Sequence, residues 1–495
     1  MSKKNSTQRV RANQNQEEPK LPVGCWLLPL MFVSFLVASS IWQTRKPVYE
    51  SLYVAQCEWI HHQNLRASID RGDGFELKFD NLNGLNNAGS SLANPFEGDM
   101  TWVFGLDVDG ETSNHFPAVP YLLFAGQFVT QTPEIFLSML GTAFLAFGLT
   151  MLVNQVNQMF GIVAALISSG TMLADQFLLQ APILLTGDAT MTGLLLVSVT
   201  IFLRAISPTA GEELRSGRYG SSRRSIWKWP IAGLLFGGAM LFRATTSLWL
   251  LVFLPALLIY LIVLRLKKDL PFLEFLDGQQ NFPPTPKSVR RMGEPILLFA
   301  IGLLFAVSPW WICNCKVTKD FKPLGNEIQY KIIGSHNYGN TMDGNLNIRK
   351  VYSHRESLLL ALVDEKAPIE KESFVAANHW NATVEWIEEN PKLNRTMRIQ
   401  RAWNHLGLNG LESRTRQAAN LALVLGALIG CVISWRRFGF IVMILLVAST
   451  LVTALTWSDY GRLSLPIRPL LHASFAIGVA SILAGKIFKR QPKRR

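Results

Sequence analysis

The stretch Ser308-Pro309-Trp310-Trp311-Ile312-Cys313-Asn314 ends an apolar run and opens a hydrophilic segment that continues to about residue 417. A proline beside two tryptophans is typical of the place where a helix leaves a bilayer, because amphipathic indole rings settle among the lipid headgroups. A helix buried in a soluble core has no reason to end on these residues. The stretch therefore predicts a polytopic membrane protein whose functional residues lie in its loops.

The composition favours the same class of protein. Of the 495 residues, 49% are hydrophobic and 17% are charged, and the mean hydropathy is +0.20. The net charge of +13 does not indicate a nucleic-acid partner, because the basic residues collect in short segments beside apolar runs, where they orient a membrane protein. The five cysteines form no Cys-x-x-Cys pair and predict neither a disulfide scaffold nor a zinc site. A single bridge from Cys57 to Cys313 or Cys315 stays open.

Apolar runs of suitable length predict an all-α protein with about ten transmembrane helices. The first run is 21–41, and the others fall near 134–156, 160–178, 189–205, 230–244, 246–264, 294–312, 418–434, 437–455 and 469–486. The predicted organisation is a disordered tail (1–20), a first transmembrane helix (21–43), an acidic loop with juxtamembrane helices (44–133), helices two to seven (134–312), a second loop region with surface helices (313–417), helices eight to ten (418–487) and a basic tail (488–495).

The distribution of lysine and arginine orients these segments. With the amino terminus in the cytoplasm, the basic segments 204–228 and 265–291, the turn Arg436-Arg437 and the carboxyl-terminal tail all fall on the cytoplasmic side. Both long loops then lie on the outer face, and the carboxyl terminus is cytoplasmic. Arg243 lies between two short apolar runs, below the expected outer surface. An arginine at that depth costs roughly 2.5–3.5 kcal/mol unless it faces water or an anion, so Arg243 is either a functional residue or a side chain that reaches back to the headgroups.

Several further patches occur in a fixed order along the chain. They are Glu50-Ser51-Leu52-Tyr53; His115-Phe116-Pro117-Ala118-Val119-Pro120-Tyr121; Asp188 in Leu185-Thr186-Gly187-Asp188-Ala189; the Gly-rich run from Ala232 that ends at Arg243-Ala244-Thr245; Pro309-Trp310-Trp311-Ile312-Cys313-Asn314; Trp386-Ile387-Glu388-Glu389-Asn390-Pro391; and Gly461-Arg462-Leu463-Ser464-Leu465-Pro466-Ile467-Arg468-Pro469.

Taken together, the patches resemble the bacterial type C membrane glycosyltransferases, in particular the dolichyl-phosphate-mannose protein mannosyltransferases (glycosyltransferase family 39) and the related lipopolysaccharide glycosyltransferases. The resemblance runs over most of residues 45–470. It implies a multi-pass enzyme of the bacterial inner membrane and cell envelope. Such an enzyme moves a hexosyl or pentosyl group from a polyprenyl-phosphate donor to a lipid, glycan or protein acceptor on the periplasmic face. The partners so implied are the lipid-linked sugar, the acceptor and the membrane lipids.

That reaction requires a carboxylate to take the acceptor proton and fixed positive charge to face the leaving phosphate. The expected catalytic carboxylates are Glu50 and Asp188, and the expected phosphate ligands are Arg243 and Arg462. Further expected contacts to the donor or the acceptor come from Tyr53, His115 and Asp175. Two converging carboxylates would also suit a divalent cation, and the sequence does not separate these roles.

Two other functions remain open. A transporter or flippase of lipid-linked sugars would also need many membrane spans and buried arginine, although such proteins often show internal repeats and the chain has no clear repeat. A relative that has lost catalysis is the second alternative. In the patches above, Tyr49 stands where the family has an aspartate, and Cys313 and Cys315 stand where it has arginine and tyrosine.

Overall fold

The computed structural model describes residues 26–45, 53–78, 110–112, 116–184, 187–206, 226–266, 293–326, 328–329, 332, 336, 380–381, 383–408, 414–456 and 462–484. These residues are mainly helical. The helices are α1 (Leu27–Arg45), α2 (Tyr53–Arg71), α3 (Ala118–Gly126), α4 (Pro133–Phe160), α5 (Ile162–Leu173), α6 (Gln176–Gln180), α7 (Asp188–Ile206), α8 (Lys228–Met240), α9 (Ala244–Leu266), α10 (Gly293–Thr318), α11 (Pro391–His405), α12 (Arg414–Ile433), α13 (Phe440–Leu455) and α14 (Arg468–Leu483).

Short elements connect or extend these helices. Two 3₁₀ turns span Ala181–Leu184 and Arg462–Ser464, and a π-helical turn, Trp435–Gly439, joins α12 to α13. The strands β1 (Glu76–Leu77) and β2 (Gly110–Glu111) pair in antiparallel fashion, with Glu76 opposite Glu111. This small pair lies within the predicted outer loop and was not expected from the sequence, because two-residue strands leave no alternating pattern to detect.

Four helices are long and apolar enough to cross a membrane, namely Pro133–Phe160, Asp188–Ala205, Ile296–Thr318 and Arg414–Ile433. Shorter apolar helices are Leu27–Ile41, Ile162–Leu173, Thr245–Ala256, Phe440–Leu455 and Arg468–Leu483. The helical class and the presence of membrane-length helices agree with the prediction, whereas ten complete spans stay a prediction.

The segment predicted as one span at 160–178 has a different form. It is divided among the last residue of α4, the twelve residues of α5 and the start of α6. Gly161 lies between α4 and α5 with φ at +91°, a left-handed conformation that glycine adopts readily and that ends a helix. Hydropathy alone does not register such a break, because the residues on both sides of Gly161 are apolar.

The Pro309–Trp311 stretch is not the end of its helix. Helix α10 continues through Pro309 to Thr318, since proline removes one backbone hydrogen bond but is tolerated in membrane helices whose neighbours compensate. Trp310 is only 7% exposed and packs with Phe116 and Phe75. Trp310 therefore holds parts of the first predicted outer loop against α10. The sequence had suggested instead that it anchors the end of the helix among lipid headgroups.

Small residues bring the helices into close contact. Helices α8 and α10 meet at Gly233 and Gly302, where an added Cβ would lie 1.9 Å from the carbonyl oxygen of Phe299 and 2.0 Å from that of Pro230, respectively. Helices α12 and α14 meet at Gly430, whose added Cβ would lie 1.7 Å from the carbonyl oxygen of Ser474. Close backbone approach of this kind is the usual way in which helices associate in lipid.

Candidate functional site

Asp188 is the first residue of α7, and its side chain is buried, with 2% exposed. A carboxylate at the amino-terminal end of a helix is favoured by the helix dipole. The preceding residue, Gly187, has φ at +75°, and a Cβ there would lie 2.5 Å from the Phe242 ring and 2.7 Å from Val119. Only glycine fits this turn, so the chain enters α7 in a fixed direction with Asp188 pointing into the interior.

Arg243 and Arg462 both bind Asp188. Arg243 donates from Nη2 to Oδ2 at 3.2 Å. Its Nε also forms an ion pair with Oδ1 at 2.5 Å, but the Nε–H bond does not point at that oxygen as a hydrogen bond requires. Arg462 donates from Nε to Oδ2 at 2.5 Å. All three side chains are buried. The structure thus unites three residues that the sequence analysis had singled out, and we call them the Asp188 cluster.

The Asp188 cluster contains two guanidinium groups and one carboxylate. A guanidinium has five N–H donors, so one such group can contact a carboxylate and a second anion together. Buried guanidinium groups attract an anion more strongly than they would in water, since the local dielectric constant is low. An arginine fork matches the oxygens of a phosphate. The cluster is therefore chemically suited to a phosphate group.

The turn that carries Arg243 also contacts α3, which belongs to the first predicted outer loop. Residues Leu241 to Arg243 join α8 to α9, and the backbone N–H of Ala118 at the start of α3 donates to the carbonyl oxygen of Leu241 at 3.2 Å. Phe242 packs against Val119 and Leu123 of α3. The start of α3 and the Arg243 turn are thus neighbours in space.

A second polar cluster surrounds Asp175, which caps the amino-terminal end of α6. Its Oδ1 accepts from the backbone N–H of Phe177 at 2.9 Å, and its Oδ2 lies 2.7 Å from Arg468 Nε and 2.8 Å from His472 Nε2. Arg468 also donates from Nη2 to Asn420 Oδ1 at 3.1 Å. We call these four polar side chains (Asp175, Asn420, Arg468 and His472) the Asp175 cluster.

Burial opposes ionisation of Asp175, but the charge of Arg468 and the hydrogen bond with His472 outweigh it and hold the pKa of Asp175 well below its usual range.

Sequence reasoning had named Asp175 as a contact to the donor or acceptor and had not named Arg468 or His472. The signal that could have found Arg468 is its place in the same motif as Arg462. Nothing local indicates His472, because it lies inside an apolar helix.

A third group of buried polar side chains joins α11 to α13. Arg401, with 1% exposed, donates from Nη1 to the carbonyl oxygen of Thr456 at 3.0 Å and to His336 Nε2 at 3.2 Å. The Nδ1 of His336 lies 2.8 Å from the carbonyl oxygen of Ile332, so its proton is on Nδ1 and Nε2 is free to accept. Burial and the charge of Arg401 lower the pKa of His336 to about 4.

His405 completes this group. Its Nε2 lies 3.1 Å from the Ser449 hydroxyl and its Nδ1 lies 3.2 Å from the Thr453 hydroxyl. Burial, with a smaller contribution from Arg468, lowers the pKa of His405 to about 3. These contacts hold α11, which belongs to the second predicted outer loop, against the end of α13. The sequence analysis missed all of them, because the spacing of single polar residues in a long loop gives no indication of their partners.

Three expected site residues have side chains outside the described part of the chain. Glu50 and His115 fall outside the described residues, and Tyr53 begins α2 with its side chain also outside them. Their roles stay predictions. The same holds for the bridge from Cys57 to Cys313 or Cys315, because the side chain of Cys57 is not among those described.

No group of three or more histidine, cysteine, aspartate or glutamate side chains within the described ranges is arranged to hold a metal ion. The two buried aspartates belong to separate clusters, and arginine binds each of them. Glu50, the other expected catalytic carboxylate, lies outside the described residues, so the suggestion of a divalent cation stays a prediction.

Neither a family model nor a curated protein matches the chain. Among solved structures, the chain is similar to the Archaeoglobus fulgidus oligosaccharyltransferase in its apo form, with 12% identity and a TM-score of 0.47 over 95% of this chain and 51% of that one. It is also similar to ArnT from Cupriavidus metallidurans bound to undecaprenyl phosphate, with 12% identity and a TM-score of 0.38 over 95% of this chain and 81% of that one. The chain spans about half the length of the oligosaccharyltransferase.

Both neighbours are glycosyltransferases of the type C fold, the superfamily that the sequence patches resemble. The narrower resemblance to glycosyltransferase family 39 stays a prediction. At 12% identity and TM-scores below 0.5, the likenesses transfer no substrate, partner or site residue to this chain.

Proposed function

We propose that the protein is an integral membrane glycosyltransferase that moves a sugar from a polyprenyl-phosphate donor to an acceptor on the outer face of the bacterial inner membrane. The observation that carries the proposal is the Asp188 cluster. Two arginines from separate segments meet on one buried carboxylate beside the outer-loop helix α3. Burying these charges is costly, and a phosphate-binding role explains why two guanidinium groups are buried together.

Arg243 and Arg462 bind the donor phosphate in this proposal. A donor phosphodiester carries one negative charge, which attracts it to the two guanidinium groups. As the bond between the anomeric carbon and the phosphate oxygen breaks, its electron pair goes to that oxygen and the phosphate gains a second charge. Fixed guanidinium donors in a poorly hydrated site stabilise that developing charge, and such contacts are worth about 10²–10³ in rate.

Asp188 supplies the base in the same scheme. Both of its oxygens contact guanidinium groups in the structure described here, so a phosphate that competes for Arg243 or Arg462 frees an oxygen. The acceptor hydroxyl then bonds to the anomeric carbon and gives its proton to the freed carboxylate. Glu50 is the alternative base, and a pair of carboxylates would share the work as the sequence patches suggest.

The donor sugar is a hexose or a pentose, and the acceptor is a lipid, a glycan or a protein. The experiment is sugar transfer by purified protein in detergent, with a panel of radiolabelled polyprenyl-phosphate sugars and native membrane acceptors. Asp188→Asn is compared with Asp73→Asn, a matched change at an exposed ion pair with Arg71. We expect transfer by the wild type and by Asp73→Asn, and a loss of about 10²–10⁴-fold in Asp188→Asn.

Each other outcome has a distinct meaning. Full activity in Asp188→Asn would keep the glycosyltransferase and remove Asp188 from its site. No transfer from any donor by the wild type would overturn the proposal. Movement of lipid-linked sugar across reconstituted vesicles would then identify a transporter, and a protein that neither moves nor transfers sugar would be a relative that has lost catalysis.

A further inference from the structure

Two buried ion pairs connect the same two segments of the chain. The first segment runs from Asp175, the cap of α6, through the 3₁₀ turn Ala181–Leu184 to Asp188 at the start of α7. The second runs from Arg462 to Arg468, the first residue of α14. Arg462 binds Asp188 and Arg468 binds Asp175. Each segment therefore carries one partner of each buried ion pair, at its two ends.

The second segment is a compact turn. The backbone N–H of Leu465 donates to the carbonyl oxygen of Arg462 at 3.1 Å, and that of Ile467 donates to the carbonyl oxygen of Ser464 at 2.9 Å. Every residue from 462 to 471 is buried. Pro466 fixes one further backbone angle. We therefore expect a displacement at Arg468 to reach Arg462, because two hydrogen bonds, a proline and complete burial restrict the turn between them.

The Asp175 cluster has the form of an anchor. Asp175 accepts from Phe177, Arg468 and His472, and the Arg468 guanidinium also lies over the Phe177 ring at 4.6 Å from the centroid. Asn420 of α12 accepts from Arg468 and donates to the carbonyl oxygen of Gly407 at 2.8 Å. One positive charge faces one negative charge in the Asp175–Arg468 pair, so each charge has its partner within this cluster.

We propose that Asp175, Arg468 and His472 are positioning residues, which hold the 462–468 turn so that Arg462 meets Asp188 and the donor phosphate in the productive geometry. This inference rests on the proposed function and replaces the expectation that Asp175 touches the donor or the acceptor. Removing the charge of Asp175 leaves Arg468 buried without its anion, a state that the fold relieves by moving the turn. A shift of about 1 Å at a reacting group costs about 100-fold in rate.

The test uses the full-length protein with Asp175→Asn, which keeps the capping ability of the residue but not its charge. Gln176→Ala is the matched control, because Gln176 is the next residue and makes an exposed contact with Arg416. We expect kcat to fall about 100-fold in Asp175→Asn with the donor KM little changed, and Gln176→Ala to keep both values. Asp175→Glu should restore part of kcat. A large rise in KM with kcat preserved would make Asp175 a substrate contact and overturn the inference.

A second readout needs no enzymatic activity. Ser464 is buried in the turn, and Ser464→Cys provides a thiol whose alkylation rate reports local opening. Cys431, which is fully buried and donates to Ser474, is the internal standard. We expect Asp175→Asn to speed alkylation of the introduced thiol at least about tenfold while Cys431 is unaffected. An unchanged rate would overturn the positioning role. Failure of sugar transfer in the wild type would remove only the proposed function and leave the link between Asp175 and the turn in place.

Discussion

At the scale of single residues, the charge balance around Asp188 decides what the candidate site can bind. Arg243 and Arg462 both approach one carboxylate, and arginine is suited to this arrangement because its planar group binds a carboxylate on one side and keeps donors for a phosphate on the other. A lysine would bring the same charge but only a compact ammonium with three donors. The geometry of the guanidinium, as well as its charge, is therefore part of the site.

We expect Arg243→Lys and Arg462→Lys each to lower the rate of sugar transfer by about 100-fold, because each loses the forked contact to the phosphate while keeping its charge. Initial rates at saturating donor measure the effect. Arg71→Lys, at the exposed pair with Asp73, serves as control and should retain the full rate. Equal rates in all three variants would show that neither Arg243 nor Arg462 meets the donor.

His336 and His405 predict a loss of stability on acidification. Their pKa values of about 4 and about 3 lie below the value of about 6.5 for histidine in an unfolded chain. Between these values the unfolded chain binds more protons, so stability rises with pH across this window and is lost as the pH falls below about 6.5. The unfolding temperature in detergent should therefore be lower at about pH 4.5 than at about pH 7.5.

His405→Gln should reduce the difference in unfolding temperature between the two pH values, because the substituted side chain does not titrate. Gln176→Ala, at an exposed contact, should keep the full difference. If His405→Gln and the control lose the same amount of stability on acidification, His405 is not responsible for the pH dependence.

At the scale of helices, glycine contacts set how closely the elements pack. Gly430 of α12 lies against α14, the helix whose first residue, Arg468, belongs to the Asp175 cluster. Any side chain at Gly430 would push α14 away from α12, and the turn that carries Arg462 would move with it. The packing of two helices far from the candidate phosphate site is thus connected to the placement of Arg462.

Gly430→Ala should lower both the unfolding temperature in detergent and the transfer rate, since the new Cβ would lie 1.7 Å from the Ser474 carbonyl oxygen. Gly170→Ala on α5 is the control, because nothing lies within 4 Å of an added Cβ there. Alanine at that position should leave stability unchanged or raise it by about 0.5–1 kcal/mol. An unfolding temperature unchanged by Gly430→Ala would show that α12 and α14 are less closely packed than described.

At the scale of the whole molecule, segments of both predicted outer loops pack against the ends of apolar helices. Helix α3 contacts the Arg243 turn, and α11 is fixed to α13 by Arg401 and His405. These contacts bring parts of both predicted outer loops to the helix ends that carry candidate site residues.

The distribution of positive charge predicts that segments 44–133 and 313–417 lie outside the cytoplasm and that both termini lie inside it. Alkaline phosphatase fused within either loop should therefore be active, whereas fusions within 204–228 or at the carboxyl terminus should be inactive. A fluorescent protein that folds only in the cytoplasm should give the opposite pattern at the same positions. An active phosphatase at the carboxyl terminus would change the number of spans from even to odd.

The sequence alone determined the helical class and the apolar segments, because hydrophobic runs and their lengths are local properties of the chain. It also singled out Arg243, since an arginine below the membrane surface is costly and therefore conspicuous, whereas Asp188 and Arg462 were named from the resemblance to the glycosyltransferase patches. The break at Gly161 and the continuation of α10 past Pro309 were not predictable in this way. Each depends on whether neighbouring helices satisfy the backbone, and the composition of the segment does not record it.

Only the tertiary structure decided which arginine pairs with which aspartate. Arg243 and Asp188 are 55 residues apart, Arg462 and Asp188 are 274 apart, and Arg468 and Asp175 are 293 apart. The periodicity of the sequence cannot relate residues so far apart along the chain, because their pairing is fixed by the way that separate helices pack. The positioning role that we propose for Asp175 depends on the same packing. Its partners Arg468 and His472 reach it only after α14 has packed against α5, which brings the end of the chain back to its middle.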